Sequence, residues 1–103
     1  MPTLLLTHPD CLAHVTPPGH PEQVARLTAI LDALAAPEFD ALIRAEAPLA
    51  EDAHIRRAHP EAYLRQIRAA APAEGFVGLD ADTHMSPGSL DAALRAAGAN
   101  VAA

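Results

Sequence analysis

Short apolar runs broken by proline set the pattern of this chain. Leu4-Leu5-Leu6, flanked by Thr3 and Thr7 and stopped by His8-Pro9-Asp10, predicts a buried strand. So short a run is also compatible with a helix. A loop rich in Pro, Gly and His follows over residues 8–20. Val24, Leu27, Ile30, Leu31 and Leu34 then recur at helical spacing and form one apolar face. Pro21 suits a first helical position and Glu22 the positive end of the dipole, so this helix is expected to open at Pro21 and close before Pro37. Phe39 to Ala47 reads as strand or helix, with a stop at Pro48. Asp52 is expected to cap a short helix through Arg57. Pro60 opens another, with Tyr63, Leu64 and Ile67 on one face, ending before Pro72. Gly75 to Leu79 predicts a further short strand. Ser86 is the expected cap of a last helix with Pro87 at its first position. Its stripe is Leu90, Ala93, Leu94, Ala97 and Val101, and the pattern runs to Ala103 with no stop signal.

Strands alternating with helices predict an α/β layer architecture with parallel strands. Two or three strands are too few to complete such a sheet. With 103 residues there is room for one small domain, and residues 1–103 show no internal boundary. Aromatic residues make up 3% of the chain and Trp is absent, so any core must be built from Leu, Ile, Val and Ala. Alanine buries little apolar area, which makes the chain thin for an independent fold. It is expected to be part of something larger.

The formal net charge is -6 and every basic residue is Arg. An acidic chain without a basic stripe argues against direct nucleic-acid binding. One Cys excludes an intramolecular disulfide and makes a reducing compartment the expectation. No stretch approaches the roughly 20 apolar residues of a membrane span, and Leu4-Leu5-Leu6 is too short for a signal peptide. A cytoplasmic protein with no membrane partner is therefore expected.

Candidate chemistry concentrates in two places. His8, Cys11, His14 and His20 share the N-terminal loop and are all zinc-capable side chains, although their spacing matches no standard finger. The alternative is that they are ordinary capping or exposed loop residues. The second place is Gly78-Leu79-Asp80-Ala81-Asp82-Thr83-His84-Met85-Ser86-Pro87-Gly88-Ser89. If this segment is extended, Asp80 and Asp82 project to the same side. Either one of them turns the chain at a strand end, or a carboxylate there accepts hydrogen bonds from a ligand. Arg26 flanks the apolar face of the first long helix, where a snorkelling surface Arg is the simple expectation. No Gly-rich phosphate loop, nucleophile elbow or His pair at i and i+4 is present.

Taken in order, four features resemble the N-terminal part of the zinc-dependent histone deacetylase superfamily. The group includes bacterial class II-like deacetylases, acetylpolyamine amidohydrolases and acetoin-utilisation proteins. The features are His8…Cys11…His14…Gly19-His20-Pro21-Glu22, then Arg26-Leu27…Ile30, then Ala58-His59-Pro60-Glu61-Ala62-Tyr63, then Asp80-Ala81-Asp82-Thr83…Ser86-Pro87-Gly88-Ser89 with Ala92-Ala93…Ala96-Ala97-Gly98. Together they span nearly the whole chain. The resemblance implies an arginase/deacetylase-like three-layer α/β fold with a parallel sheet, incomplete in this chain. It implies a zinc-dependent hydrolysis of acetyl-lysine or acetyl-amine substrates in the complete protein. The family's metal ligands and its adjacent His pair belong to later segments. No catalytic residue and no bound zinc is therefore expected for this chain, which is expected to be inactive alone.

Three carry-overs follow from the resemblance. Asp82 matches the rim carboxylate that accepts hydrogen bonds from substrate backbone, with Asp80 as the alternate if loop length differs. Arg26 matches the Arg of the inner channel, which reverses the simple expectation for it. The loop over 8–20, with His14 and His20, corresponds to one wall of the pocket mouth. Some relatives hold a structural zinc with a Cys pair and the equivalent of His20, but this chain has a single Cys. Two other functions compete: a non-catalytic module that self-associates through its apolar stripe and open sheet edge, and a small metal-binding protein using the four His and Cys side chains.

Overall fold

The structure is a computed structural model and describes residues 2–103. Leu4–Thr7 form strand β1, and Ile43–Glu46 form β2. The two pair in parallel, Leu4 opposite Ile43 and Thr7 opposite Glu46. This pairing settles the ambiguous segment before Pro48 as strand. The amides of Ile43 and Ala47 reach the carbonyls of Thr3 and Thr7 and extend the ladder at both ends. Between the strands runs helix α1, Val24–Leu34, followed by a single 3-10 turn over Pro37–Phe39. Strand, helix and parallel strand make the βαβ unit that the alternation predicts.

α1 begins three residues later than Pro21 suggested. Its N-cap is Gln23, whose carbonyl accepts from the Arg26 amide. Pro21 and Glu22 belong to the preceding loop, where the Glu22 amide donates to His20 Nδ1 and its carbonyl accepts from the Thr16 hydroxyl. Those side chains compete successfully for backbone groups that a helix would have used.

Asp52–Arg56 form the short helix α2 and Glu61–Ala70 form α3. Glu51, not Asp52, is the cap of α2, and Pro60 occupies the cap of α3. Val77–Gly78 and His84–Met85 are β3 and β4, which pair antiparallel as a small hairpin. The strand expected over Gly75–Leu79 therefore does not join the parallel sheet; it folds back on its own successor.

The last helix, α4, spans Ser89–Ala102 with Gly88 at its cap. Ser86 lies two residues before that cap. The buried side of α4 is made of Ser89, Ala92 and Gly98, so these small residues, rather than the expected stripe of Leu90, Ala93, Leu94, Ala97 and Val101, face the packed side. Backbone comes close there: a Cβ on Gly88 would lie 2.5 Å from Ala13 Cβ, and one on Gly98 only 1.9 Å from the Pro48 carbonyl oxygen. Arg95 ties α4 to both segments leaving the sheet. Its Nε donates to Asp10 Oδ2 at 2.9 Å and its Nη1 to the Ala47 carbonyl at 3.1 Å.

The core is small: Ala47, Ala50, Leu64, Met85 and Ala92. No large side chain among the described residues is fully buried, while Ile30, Ile43 and Val101 are about half exposed. The accessible surface is 6843 Å². A folded monomer of 10.7 kDa would expose only about 5,500 Å². The radius of gyration, 15.2 Å, likewise exceeds the roughly 13 Å of a self-contained domain this long. Among the described residues no helix is long and apolar enough to cross a membrane.

Candidate functional site

A cleft of about 470 Å³ lies where the N-terminal loop, α1, β4 and α4 meet. Cys11 and His14 line it from the loop, Arg26 and Ile30 from α1, His84 from β4 and Ala92 from α4. Two of the predicted residues, His14 and Arg26, thus share one wall system although 12 positions separate them in sequence. His20, Asp80 and Asp82 lie outside the lining.

The loop wall is held by two serines. Ser86 is buried, its hydroxyl accepting from the Val15 amide at 2.9 Å and donating to the Ala13 carbonyl at 3.2 Å. Ser89 Oγ accepts from the Ser86 amide at 2.7 Å and sits 2.6 Å from His14 Nδ1. Ser89 Oγ is also 3.1 Å from Ser86 Oγ, so the two hydroxyls and the His14 ring form one connected chain of hydrogen bonds. The Ser-Pro-Gly-Ser turn was expected to cap a helix. Its hydroxyls instead pin the cleft wall, a role visible only once residues 13–15 are brought against residues 86–89.

Arg26 is exposed and pairs with Glu22 of the loop just before α1, Nη1 to Oε2 at 2.5 Å. Both partners are more than half exposed, so the pair adds little stability. Arg26 and Glu22 both line the cleft.

The hairpin loop over 79–83 carries the two carboxylates. It is a tight turn, not an extended strand, so the expectation that Asp80 and Asp82 project to one side does not apply. The Leu79 amide donates to the Thr83 carbonyl at 2.8 Å, and the Asp82 amide donates to Asp80 Oδ1 at 2.8 Å. The Asp82 amide, and next the Thr83 hydroxyl, hold the Asp80 carboxyl below the usual carboxylate range. Asp80 thus shapes the turn. The Asp82 carboxylate is 93% exposed.

His20 joins this loop to the N-terminal one. Its Nε2 lies 3.1 Å from the Asp82 carbonyl and 3.4 Å from Asp82 Oδ1. His84, which carried no assignment from the sequence, packs edge-on against His20 with ring centroids 5.6 Å apart. Its Nδ1 is buried without a protein partner. Its sequence signal was its place in the polar 78–89 stretch, between Thr83 and Met85.

The zinc-capable side chains of the N-terminal loop do not converge. His8 Nδ1 accepts from the Asp10 amide, Cys11 Sγ faces the Ala92 carbonyl, His14 meets Ser89, and His20 meets Asp82. Two Asp-x-His triplets also occur, Asp52-Ala53-His54 and Asp82-Thr83-His84. In the first, Asp52 pairs with Arg68 and His54 Nδ1 accepts from the Glu51 amide. In the second, Asp82 is at the exposed loop tip and His84 in the cleft wall. Among the described residues no group of three or more His, Cys, Asp or Glu side chains is arranged to hold a metal.

Comparison with known proteins gives three findings. The sequence profile described as "Histone deacetylase domain" matches residues 20–103. An uncharacterised protein of Synechocystis, slr0245, is 39% identical over 88 residues, which cover 82% of this chain and 29% of that protein. The fold matches the crystal structure of the HDA15 HD domain with a TM-score of 0.81 at 19% identity, over 96% of this chain and 30% of that one. The α/β arrangement with its small parallel sheet is thus part of such a domain, and the chain spans less than a third of the length of these two proteins.

Proposed function

The chain belongs to the histone deacetylase domain family, and from that premise we propose that it is the N-terminal portion of a zinc-dependent amidohydrolase acting on acetyl-lysine or a related acetyl-amine. The observation that carries this reading is the excess of exposed surface. The chain leaves over 1,000 Å² more exposed than its mass calls for, by the area scaling of folded monomers. Ile43 on the open sheet and Val101 on α4 are part of that surface. This is what a portion of a larger layered domain presents to the rest of it.

Within the complete domain, these residues supply a pocket wall and its rim. Asp82 accepts hydrogen bonds from substrate backbone. What favours it over Asp80 is that Asp80 is already engaged by the Asp82 amide and Thr83, while the Asp82 carboxylate is open to solvent. Arg26 is assigned to the inner channel, supported by its place on the cleft, and His14 and His20 to the rim loop. The family is zinc-dependent, but the donors among the described residues do not fit a zinc centre, because no three of them converge. The metal and the acid–base groups are assigned to the remainder of the domain, and no chemical step is assigned to this chain alone.

The test has two arms. The purified chain, supplied with zinc, is assayed on an acetyl-lysine peptide, and so is the longer product of the same reading frame. No turnover is expected from the chain. Chelator-sensitive turnover is expected from the longer product, with kcat/KM reduced about tenfold or more by Asp82→Asn, the effect of losing a charge-assisted hydrogen bond of about 1.5–3 kcal/mol. Chelator-sensitive turnover by the chain alone, or a longer product indifferent to Asp82→Asn, would overturn the assignment.

A further inference from the structure

We propose that His20 is a positioning residue for the rim: it tethers the 79–83 loop through the backbone of Asp82 and so leaves the Asp82 carboxylate free to meet substrate. The tether serves function only if Asp82 holds substrate, as proposed above.

The chain prepares His20 for this in three ways. Pro17-Pro18-Gly19-His20 is a tight turn closed by the His20 amide donating to the Pro17 carbonyl at 3.1 Å. Pro18 presets one φ, and Gly19, at φ +85°, takes the left-handed position that such a turn needs. The ring is then oriented by its own neighbour: Nδ1 accepts the Glu22 amide at 3.0 Å. A nitrogen that accepts a hydrogen bond carries no proton, so the neutral ring's proton is on Nε2. Finally the side chain is 16% exposed, with its ring against the edge of His84. It has little freedom to swing away.

Nε2–H therefore donates to the Asp82 carbonyl, 3.1 Å away and 62 positions along the chain. Among the described residues, this is the one hydrogen bond from the 79–83 loop to any other part of the protein. The bonds among Leu79, Asp80, Asp82 and Thr83 are internal. They set the shape of the turn and cannot set where it stands relative to the cleft. The division of labour follows: Asp80 shapes the turn, His20 places it, and the Asp82 carboxylate is presented. The carbonyl is the nearer acceptor, at 3.1 Å against 3.4 Å to Asp82 Oδ1, and the 93% exposed carboxylate keeps its other oxygen open to substrate.

The test compares His20→Ala, which removes the donor, with His20→Gln, which keeps an N–H at the end of the side chain. Backbone 15N relaxation of the purified chain is the first readout. His20→Ala is expected to lower the order parameters of the Asp80 to Thr83 amides, with those of α4 unchanged, and His20→Gln to restore them. The ring nitrogens of wild type are expected to report the Nε2–H tautomer. In the longer, active product, His20→Ala is expected to raise KM about fivefold with kcat nearly unchanged, the equivalent of one hydrogen bond of about 1 kcal/mol. Asp82→Asn should cancel that effect in the double variant. Unchanged loop order in His20→Ala, failure of His20→Gln to restore it, or loosening that spreads through α4 would each overturn the tether. If His20→Ala loosens the loop while Asp82→Asn leaves turnover intact, the tether stands and the substrate-binding assignment of Asp82 falls.

Discussion

Gly98→Ala sets two physical effects against each other in one substitution. In an isolated helix the change is favourable, by about 0.8–1 kcal/mol. In this structure the new Cβ would lie 1.9 Å from the Pro48 carbonyl oxygen, 2.7 Å from its carbon and 3.0 Å from the Ala50 nitrogen. All three are backbone atoms, and proline stiffens the segment, so no side chain can swing away to relieve the clash. α4 must back off by about 1.5 Å to reach ordinary contact, and overpacking of this kind costs about 1–3 kcal/mol. Backing off also strains the Ala50 amide's bond to the Leu94 carbonyl, now 2.9 Å, one turn earlier on the same helix. An amide left without its partner there costs a further 1–3 kcal/mol or so. The net expectation is a loss of about 3 kcal/mol after the gain in propensity is subtracted. A domain of this length holds only about 5–15 kcal/mol in total. The assay is urea unfolding followed by far-UV circular dichroism, with the solvent-facing Asn100→Ala on the same helix as control. The control loses an exposed Nδ2 bond to the Ala96 carbonyl and gains helix propensity, so its stability is expected to stay within about 0.5 kcal/mol of wild type. A Gly98→Ala midpoint equal to or above that of wild type, at unchanged slope, would refute the close-approach argument.

Two further expectations test other parts of the fold. Arg95→Met leaves the Ala47 carbonyl and the Asp10 carboxylate without their shared donor, and is expected to cost about 1–3 kcal/mol in the same urea assay, with a smaller loss for Asp10→Asn, which keeps an acceptor; equal stability of Arg95→Met and wild type would count against this bridge. Asp80 binds its proton more weakly folded than unfolded, so its support of the turn is complete above the ordinary carboxylate range near pH 4 and fades as pH falls through its lowered folded value. The Asp82 amide resonance should therefore titrate below that range and lose the transition in Asp80→Asn, and a midpoint at or above it would be the contrary result.

The order of elements was legible in the chain because hydrophobic periodicity and proline punctuation are local properties. β1, α1, α3 and α4 lie where Leu4-Leu5-Leu6, the Val24–Leu34 stripe, the Tyr63-Leu64 face and the Ala-rich tail placed them, with shifts at their starts. The shifts at α1 and α4 have one cause. Side chains at 16, 20 and 89 took backbone groups near the expected helix starts, the Ser86 hydroxyl went to Val15 and Ala13 instead of capping, and those at 20, 86 and 89 reach segments more than 60 residues away. The family resemblance likewise was carried by local motifs in order. What the sequence by itself determined was therefore the class of fold and the candidate residues. Only the tertiary structure decided that Phe39 to Ala47 yields a strand paired with β1, that Gly75 to Leu79 turns back as a hairpin, and that small residues line the packed side of α4. It alone separated Asp80, which shapes a turn, from Asp82, which is presented. Those outcomes depend on which distant backbone a residue meets, and spacing along the chain carries no record of that.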